Sequence, residues 1–206
     1  DSFAARICRY MIAKGMCFAR ARGMVNIVYL EGVSRDGTLN RNRPNRFNDL
    51  RLVMDLRPNG CPRILGSWEA TTEPGKHFTE VNSLNPMGAA RIALGQYRAW
   101  QMGMHRNDHE ALRQVRQITV HRDGNRDYLR LGDVTETGQF YINQHWGYNT
   151  SMGDIGRASA GCLVGRTKRG HKEFMEKVKR DIRYKANRRY VFYTAVLDGR
   201  EVLQGI

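Results

Sequence analysis

The chain has few of the features that hold small scaffolds together. Four cysteines in 206 residues are too sparse for a disulfide framework. None is spaced Cys-x-x-Cys, so a structural zinc site is not expected. Cys8 and Cys17 fall in one helical-looking segment, where nine residues of helix separate them by about 13 Å, beyond disulfide reach. No apolar run approaches the roughly 20 residues needed to cross a bilayer. Acids are scarce beside bases: 20 Asp and Glu against 34 Lys and Arg leave a formal net charge of +14. The chain opens at Asp1 without a Met and without an apolar signal stretch, which suggests a processed or excised piece whose targeting signal lies outside it. No internal repeat or low-complexity segment is visible.

What is present is ordinary globular chemistry with a basic bias, 41% hydrophobic and 26% charged. Seven Phe, nine Tyr and three Trp need burying, so disorder is not the dominant state. The length suits one domain with a real core. The charge points to an anionic partner or environment: nucleic acid, a membrane surface or an acidic wall polymer. Composition does not choose among them.

Along the chain, residues 3–20 predict an amphipathic helix, with Phe3, Ile7 and Met11 on a stripe joined by Ala4, Cys8 and Ile12. Val25 to Leu30 is a β-rich run ending at Gly32, and residues 34–48 form a long polar loop. Strands are expected at 50–56 and 63–72, joined by a Pro58-Asn59-Gly60 turn. A short strand is expected at 76–81, a helical turn at 109–116, and further strands at 118–120, 128–131 and 139–143; residues 89–104 are mixed in pattern. Phe174, Val178 and Ile182 predict one helix over 172–186, followed by a strand at 190–197 and a hairpin turn at Asp198-Gly199. Ten Lys and Arg against three acids crowd residues 168–189. Many short strands separated by turns indicate a mainly β domain with flanking helices, α+β overall. Residues 1–24 form its N-terminal helix, 25–167 its core, and 168–206 a basic helix plus strand or hairpin of the same domain.

Several familiar patterns fail. His121-Arg122-Asp123 lacks the Asn and the Gly-rich loop of a kinase. Asp123, Asn125 and Asp127 begin like a calcium loop, but Tyr128 and Val134 stand where Gly and Glu are required. Arg157 occupies the first glycine position of a nucleophile elbow around Ser159. His105, His109, His121 and Asp123 are chemically suited to zinc. No Glu follows in the His-Glu-x-x-His manner, and exposed loop histidines explain the pattern more simply.

The richest segment is residues 142–166, INQHWGYNTSMGDIGRASAGCLVGR. A β-run ends in His145, a Gly-, Asn- and Ser-rich loop follows, and then comes Ser159-Ala160-Gly161-Cys162. Cysteine nucleophilic catalysis needs such a pairing, because an imidazole lowers the thiol pKa and shuttles its proton. Small residues before the Cys let a substrate carbonyl approach backbone N–H groups that can hold an oxyanion. A buried structural Cys beside a Gly has the same spelling.

This segment resembles the signature of the L,D-transpeptidase family. His145 stands at the family's His, Ile155-Gly156-Arg157 at its lead-in, and Ser159, Gly161 and Cys162 in its nucleophile motif. Upstream, residues 68–75 (WEATTEPG) resemble its strand and Thr-Pro-x-Gly turn, and residues 85–90 (NPMGAA) its Asn-Pro-Leu-Gly stretch. The likeness covers about residues 50–166. There are departures: Ala160 replaces the motif His, Trp146 separates His145 from Gly147, and the Arg normally two residues after the Cys is absent, although Arg166 lies four after it. The long 34–48 loop and the basic C-terminal helix have no obvious counterpart.

The resemblance implies a β-rich catalytic core in which Cys162 attacks a stem-peptide amide of peptidoglycan to form a thioester. His145 would move the proton, with Trp146 orienting it. Ser159, Ala160 and Gly161 would surround an oxyanion, and Arg157 and Arg166 would bind substrate carboxylate. An amine or water resolves the thioester, giving cross-linking or cleavage. No cofactor and no metal are implied. The setting would be the periplasm or cell envelope, or a virion or secreted wall-acting particle. The expected partners are stem peptides and an anionic wall polymer rather than nucleic acid. A phage or secretion-associated wall hydrolase, a zinc murein peptidase, and a non-enzymatic basic module binding wall or nucleic acid are the competing readings.

Overall fold

The computed structural model describes residues 2–205. Helix α1, Phe3–Ala13, starts where Ser2 Oγ accepts from Ala5 N and buries Ala4, Ile7, Tyr10 and Met11. It stops well short of residue 20. Gly15, at φ +71°, takes the left-handed conformation, and Met16 N–H closes back onto Met11 O at 2.8 Å, the arrangement that ends a helix.

Strand β1, Asn26–Glu31, is buried at every position. Ile27 and Tyr29 enter the main core, while Val28 and Leu30 face α1 and the C-terminal helix in a second core. That double burial explains its unbroken apolar run. The other strands are β2 (Asp49–Leu56), β3 (Pro62–Thr71), β4 (Ala89–Ile92), β5 (Gly95–His105), β6 (His109–Gln114), β7 (Ile118–Asp123), β8 (Val134–Gly138), β9 (Gln144–Trp146), β10 (Leu163–Gly165) and β11 (Val191–Asp198). Eight strands close a barrel in the order β1-β11-β5-β6-β9-β10-β3-β2, and β4-β7-β8 form a separate three-stranded sheet. Ala90, Ile92, Ile118 and Val120 of that sheet join the main core. Helices α2 (Lys168–Val178), α3 (Ile182–Ala186) and α4 (Gly199–Gln204) complete the chain. The mainly β, helix-flanked class is as the sequence indicates.

Several local expectations are overturned. Residues 77–81 form one π-helical turn in place of a strand. Residues 109–114 form a strand in place of a helical turn, because His109 to Gln114 pair along β5. Residues 128–131 and 139–143 lie outside the strands, which fall instead at β8 and β9. The helix expected over 172–186 starts earlier and breaks at Asp181, whose carboxylate caps α3; Ile182 is left 42% exposed. Asp198-Gly199 is a helix start, with Asp198 accepting from Arg200 N and Glu201 N. The C-terminal hairpin is therefore a helix.

Two buried polar groups occupy this frame. Fully buried Arg51 lies 4.0 Å from the Phe174 ring and 5.6 Å from that of Trp68, with His171 Nδ1 at 3.3 Å. Elsewhere Glu31, Asp49 and Glu73 gather around Arg91 and Arg130. Thr72 Oγ1 donates to Glu31 and Asp49, and Arg91 lies 3.1 Å from Glu31 and 3.6 Å from Glu73. Burial opposes ionisation at Glu31, but the Arg130 and Arg91 guanidiniums hold it down to about 2. Two cations serve three carboxyls, so the others keep protons more tightly. Burial, with the charges of Asp49 and Glu31 and against that of Arg91, pushes Glu73 up to about 8.

Between about pH 4.5 and about 8, folded Glu73 therefore holds a proton that the unfolded chain has released, and stability falls as pH rises through that window. Glu73→Gln keeps the shape and removes this slope. Thermal melts of both proteins should show the variant gaining on the parent between pH 5 and 8, by up to about 1.4 kcal/mol per pH unit. A difference that does not change with pH means that Glu73 is ionised throughout.

Candidate active site

The two shortest strands of the barrel carry the site. β9 and β10 run parallel, with Leu163 opposite Gln144 and Val164 opposite His145. Leu163 N–H extends the ladder to Asn143 O at 3.0 Å, which sets Cys162 level with Asn143. Side chains alternate along a strand, so Asn143, His145 and Cys162 share one face, with Cys162 and His145 about 8 Å apart at Cα. The intervening Gln144 and Leu163 point the other way: Gln144 bonds Tyr29 and Thr194 inside the barrel, and Leu163 belongs to the main core.

His145 is 2% exposed. Its Nδ1 lies 2.8 Å from Trp146 O. A carbonyl only accepts, so the proton sits on Nδ1 and the lone pair on Nε2. Burial first, and then His105, push its pKa down to about 3, against the Trp146 hydrogen bond. The ring stacks on His105 with centroids 4.0 Å apart and planes 13° from parallel. Asn143 positions that neighbour. Its Oδ1 accepts from Gln114 N, which turns Nδ2 toward His105 Nδ1 at 3.2 Å. His105 falls to about 4 through burial and the charge of His109.

Cys162 is a partly exposed residue, yet the protein packed round its thiol pushes the pKa up to about 11, against the Asn143 N–H and the charge of Arg106. Sγ donates to Tyr141 O at 3.6 Å. Among the described residues no hydrogen bond joins Sγ to His145. At rest, thiol and imidazole are both neutral.

The loop before Cys162 is tightly tied. Ser159 Oγ accepts from Gly161 N at 3.1 Å and donates to Cys162 O at 2.9 Å. Gly161 stands at φ +121°, and a Cβ there would lie 2.4 Å from Ala90 O, so the position admits only glycine. The Gly161 N–H is occupied, which leaves the Cys162 N–H as the nearer donor for an oxyanion. Ala160 borders a pocket of about 160 Å³ with Leu84, Ala90, Phe140 and Ile142. On the histidine side, a cavity of about 640 Å³ is lined by His109, Trp146, Lys168, His171 and Lys172. Trp146 thus serves through its carbonyl and its ring. Arg157 is exposed. The guanidinium of Arg166 is held by Glu69 at 2.7 Å, so a substrate carboxylate would have to displace that partner.

The donors considered for zinc are divided. His105 and His109 flank the β5–β6 turn, whereas His121 and Asp123 lie on β7. Among the described residues no group of three or more His, Cys, Asp or Glu side chains is arranged to hold a metal ion. Sequence reasoning did not connect His105, His109, Asn143 and Arg106 with His145. The Asn143-x-His145 alternation signalled a shared face; the β5–β6 turn reaches it only through strand order. Arg106 and Asn107 adopt positive φ, and Asp108 N–H returns to His105 O at 2.9 Å, as in a type I′ turn.

A scan against protein-family models returns no match for this chain, and a search of curated proteins returns none either.

A raised thiol pKa and an imidazole that stays neutral make a distinct prediction for alkylation. The rate at which iodoacetamide modifies Cys162, followed by peptide mass spectrometry, should climb continuously from pH 7 to 10, since the thiolate fraction is still growing below a pKa of about 11. A plateau reached near pH 6 would instead mark a standing thiolate–imidazolium pair.

Proposed function

We propose that the chain is a cysteine acyltransferase or peptidase of L,D-transpeptidase type, acting on a stem-peptide amide of peptidoglycan in the cell envelope or from a wall-acting particle. The observation that carries this reading is the Nδ1–H of His145 given to Trp146 O, which leaves Nε2 as a base on the strand face it shares with Cys162.

As the substrate carbonyl settles against the Cys162 N–H, Sγ attacks its carbon while His145 Nε2 takes the thiol proton. The carbonyl C–N bond then breaks, the proton passes from Nε2 to the leaving amine, and a thioester remains on Sγ. An incoming amine or water, deprotonated by the same Nε2, attacks the thioester and returns the thiol. Because the resting pair is neutral, proton transfer accompanies attack. The cavity beside His145, lined by Trp146 and His109 together with Lys168, Lys172 and the carboxylates of Asp108, Glu110 and Glu176, suits an acceptor approaching from the histidine side.

A second reading has one observation in its favour: the absent Sγ–His145 hydrogen bond fits a fold retained for wall binding without turnover. A carbapenem separates the two. Attack by Sγ opens the β-lactam, so intact mass should rise by the full mass of the drug, and the adduct should be absent in Cys162→Ala. His145→Gln should slow acylation by about 10²- to 10⁴-fold without moving the melting temperature by more than a few degrees. No adduct on the parent protein sinks the catalytic reading.

A further inference from the structure

A second cavity, of about 510 Å³, lies between the polar 34–48 loop, Glu69 of β3 and Met152, and four arginines line it: Arg35, Arg41, Arg43 and Arg46. Its volume is that of a small-molecule site. Both carboxylates on its wall are engaged. Asp49 accepts from Gly32 N, Thr72 N and Thr72 Oγ1, and Glu69 is paired with Arg166. Among the described residues Arg41, Arg43 and Arg46 have neither an ion-pair partner nor a side-chain hydrogen bond; Arg35 lies within electrostatic range of Glu173. Asn48 Oδ1 on the same wall is buried without a partner.

The loop that presents these side chains is held in place. Asn40 N donates to Gly32 O at 2.8 Å, Asn40 Nδ2 to Asn48 O at 2.7 Å, and Asn48 Nδ2 to Arg43 O at 2.8 Å. Phe47 fastens the loop from beneath, 0% exposed and packed with Ile155, Ala158 and Val164. Like charges so concentrated repel one another at a cost that an anionic occupant would remove.

We propose that this cavity binds phosphate groups of a polyol- or sugar-phosphate chain. Four guanidiniums round one cavity exceed what a single carboxylate can satisfy, whereas a tetrahedral phosphate offers oxygens to several planar forks. Among the described residues Phe47 is the only aromatic one on the wall and it is buried, so bases find no stacking platform. That favours a non-aromatic phosphate chain over nucleic acid. The site stands independently of any chemistry at Cys162.

The test is calorimetric titration of the whole chain with an oligo(glycerol phosphate), with pyrophosphate and with single-stranded DNA. The glycerol phosphate oligomer should bind, and pyrophosphate should compete with it. A triple Arg41→Gln, Arg43→Gln, Arg46→Gln variant with an unchanged melting temperature should bind at least about tenfold more weakly. The matching Arg→Lys triple, which keeps the charge and loses the forks, should lose most of that affinity too. A Lys177→Gln, Arg180→Gln, Lys185→Gln variant, on and after α2, should stay within about twofold. Equal losses in the loop and α2 variants, or full binding by the lysine triple, would show diffuse charge and overturn the site. DNA binding as tight as that of the oligomer, with the same arginine dependence, would overturn the ligand assignment, and absence of binding to every probe would overturn both.

Discussion

The barrel closes through two strands of three residues each, and the candidate chemistry depends on how they pair. β9 meets β6 at a single register pair, Leu112 with Gln144, before it runs parallel to β10, which in turn joins β3. Parallel pairing normally needs a long crossover, and residues 147–162 supply it as a turn-rich loop instead of a helix. The register of that one pairing sets Cys162 level with Asn143 and puts His145 on the same face. A slip of one residue would send His145 into the barrel and bring Gln144 out. The ladder that completes the fold is thus the ladder that assembles the pair.

Around that pairing, buried polar groups are arranged so that each has a definite state. His171 donates from Nε2 to Glu110 O and faces Arg51 with Nδ1; burial and the Arg51 charge push it down to about 2. His145, His105 and His171 are therefore all neutral, which lets three imidazoles stand close to Arg51 and Arg106 without mutual repulsion. The same economy of charge governs the acids, where Arg91 and Arg130 balance all but one of Glu31, Asp49 and Glu73. Arg51 is a buried cation whose neighbours are the Trp68 and Phe174 rings and neutral His171, whereas the arginines of the 34–48 loop are exposed, where water screens their charge. Part of the composition's excess of base, the four arginines of the 34–48 loop, lines a cavity.

Legibility of the fold followed the physics of each segment. Amphipathic α1 was readable because its buried positions recur at helical spacing, although its end was set by the left-handed Gly15 and not by any change in the stripe. β2 and β3 were readable from the Pro58-Asn59-Gly60 turn between them. The segment at 109–114 misled because its β character comes from pairing with β5, and His109-Glu110-Ala111 has no strong strand preference of its own. Asp198-Gly199 misled for a related reason: an Asp before a Gly suits a hairpin turn and a helix start equally, and the packing of Val202 into the second core selects the helix.

For the site, local spelling determined the nucleophile and base candidates, because Gly161 before Cys162 and a β-run ending in His145 are features of adjacent residues. It also determined the sign of the surface charge and the mainly β class. Tertiary structure alone decided that His105 stacks on His145, that Trp146 O sets the imidazole tautomer, that Arg166 is already paired, and that four loop arginines converge on one cavity. Each of those facts rests on residues far apart in the chain or on a backbone carbonyl's direction. Neither is encoded in the order of side chains; both are products of strand order and register.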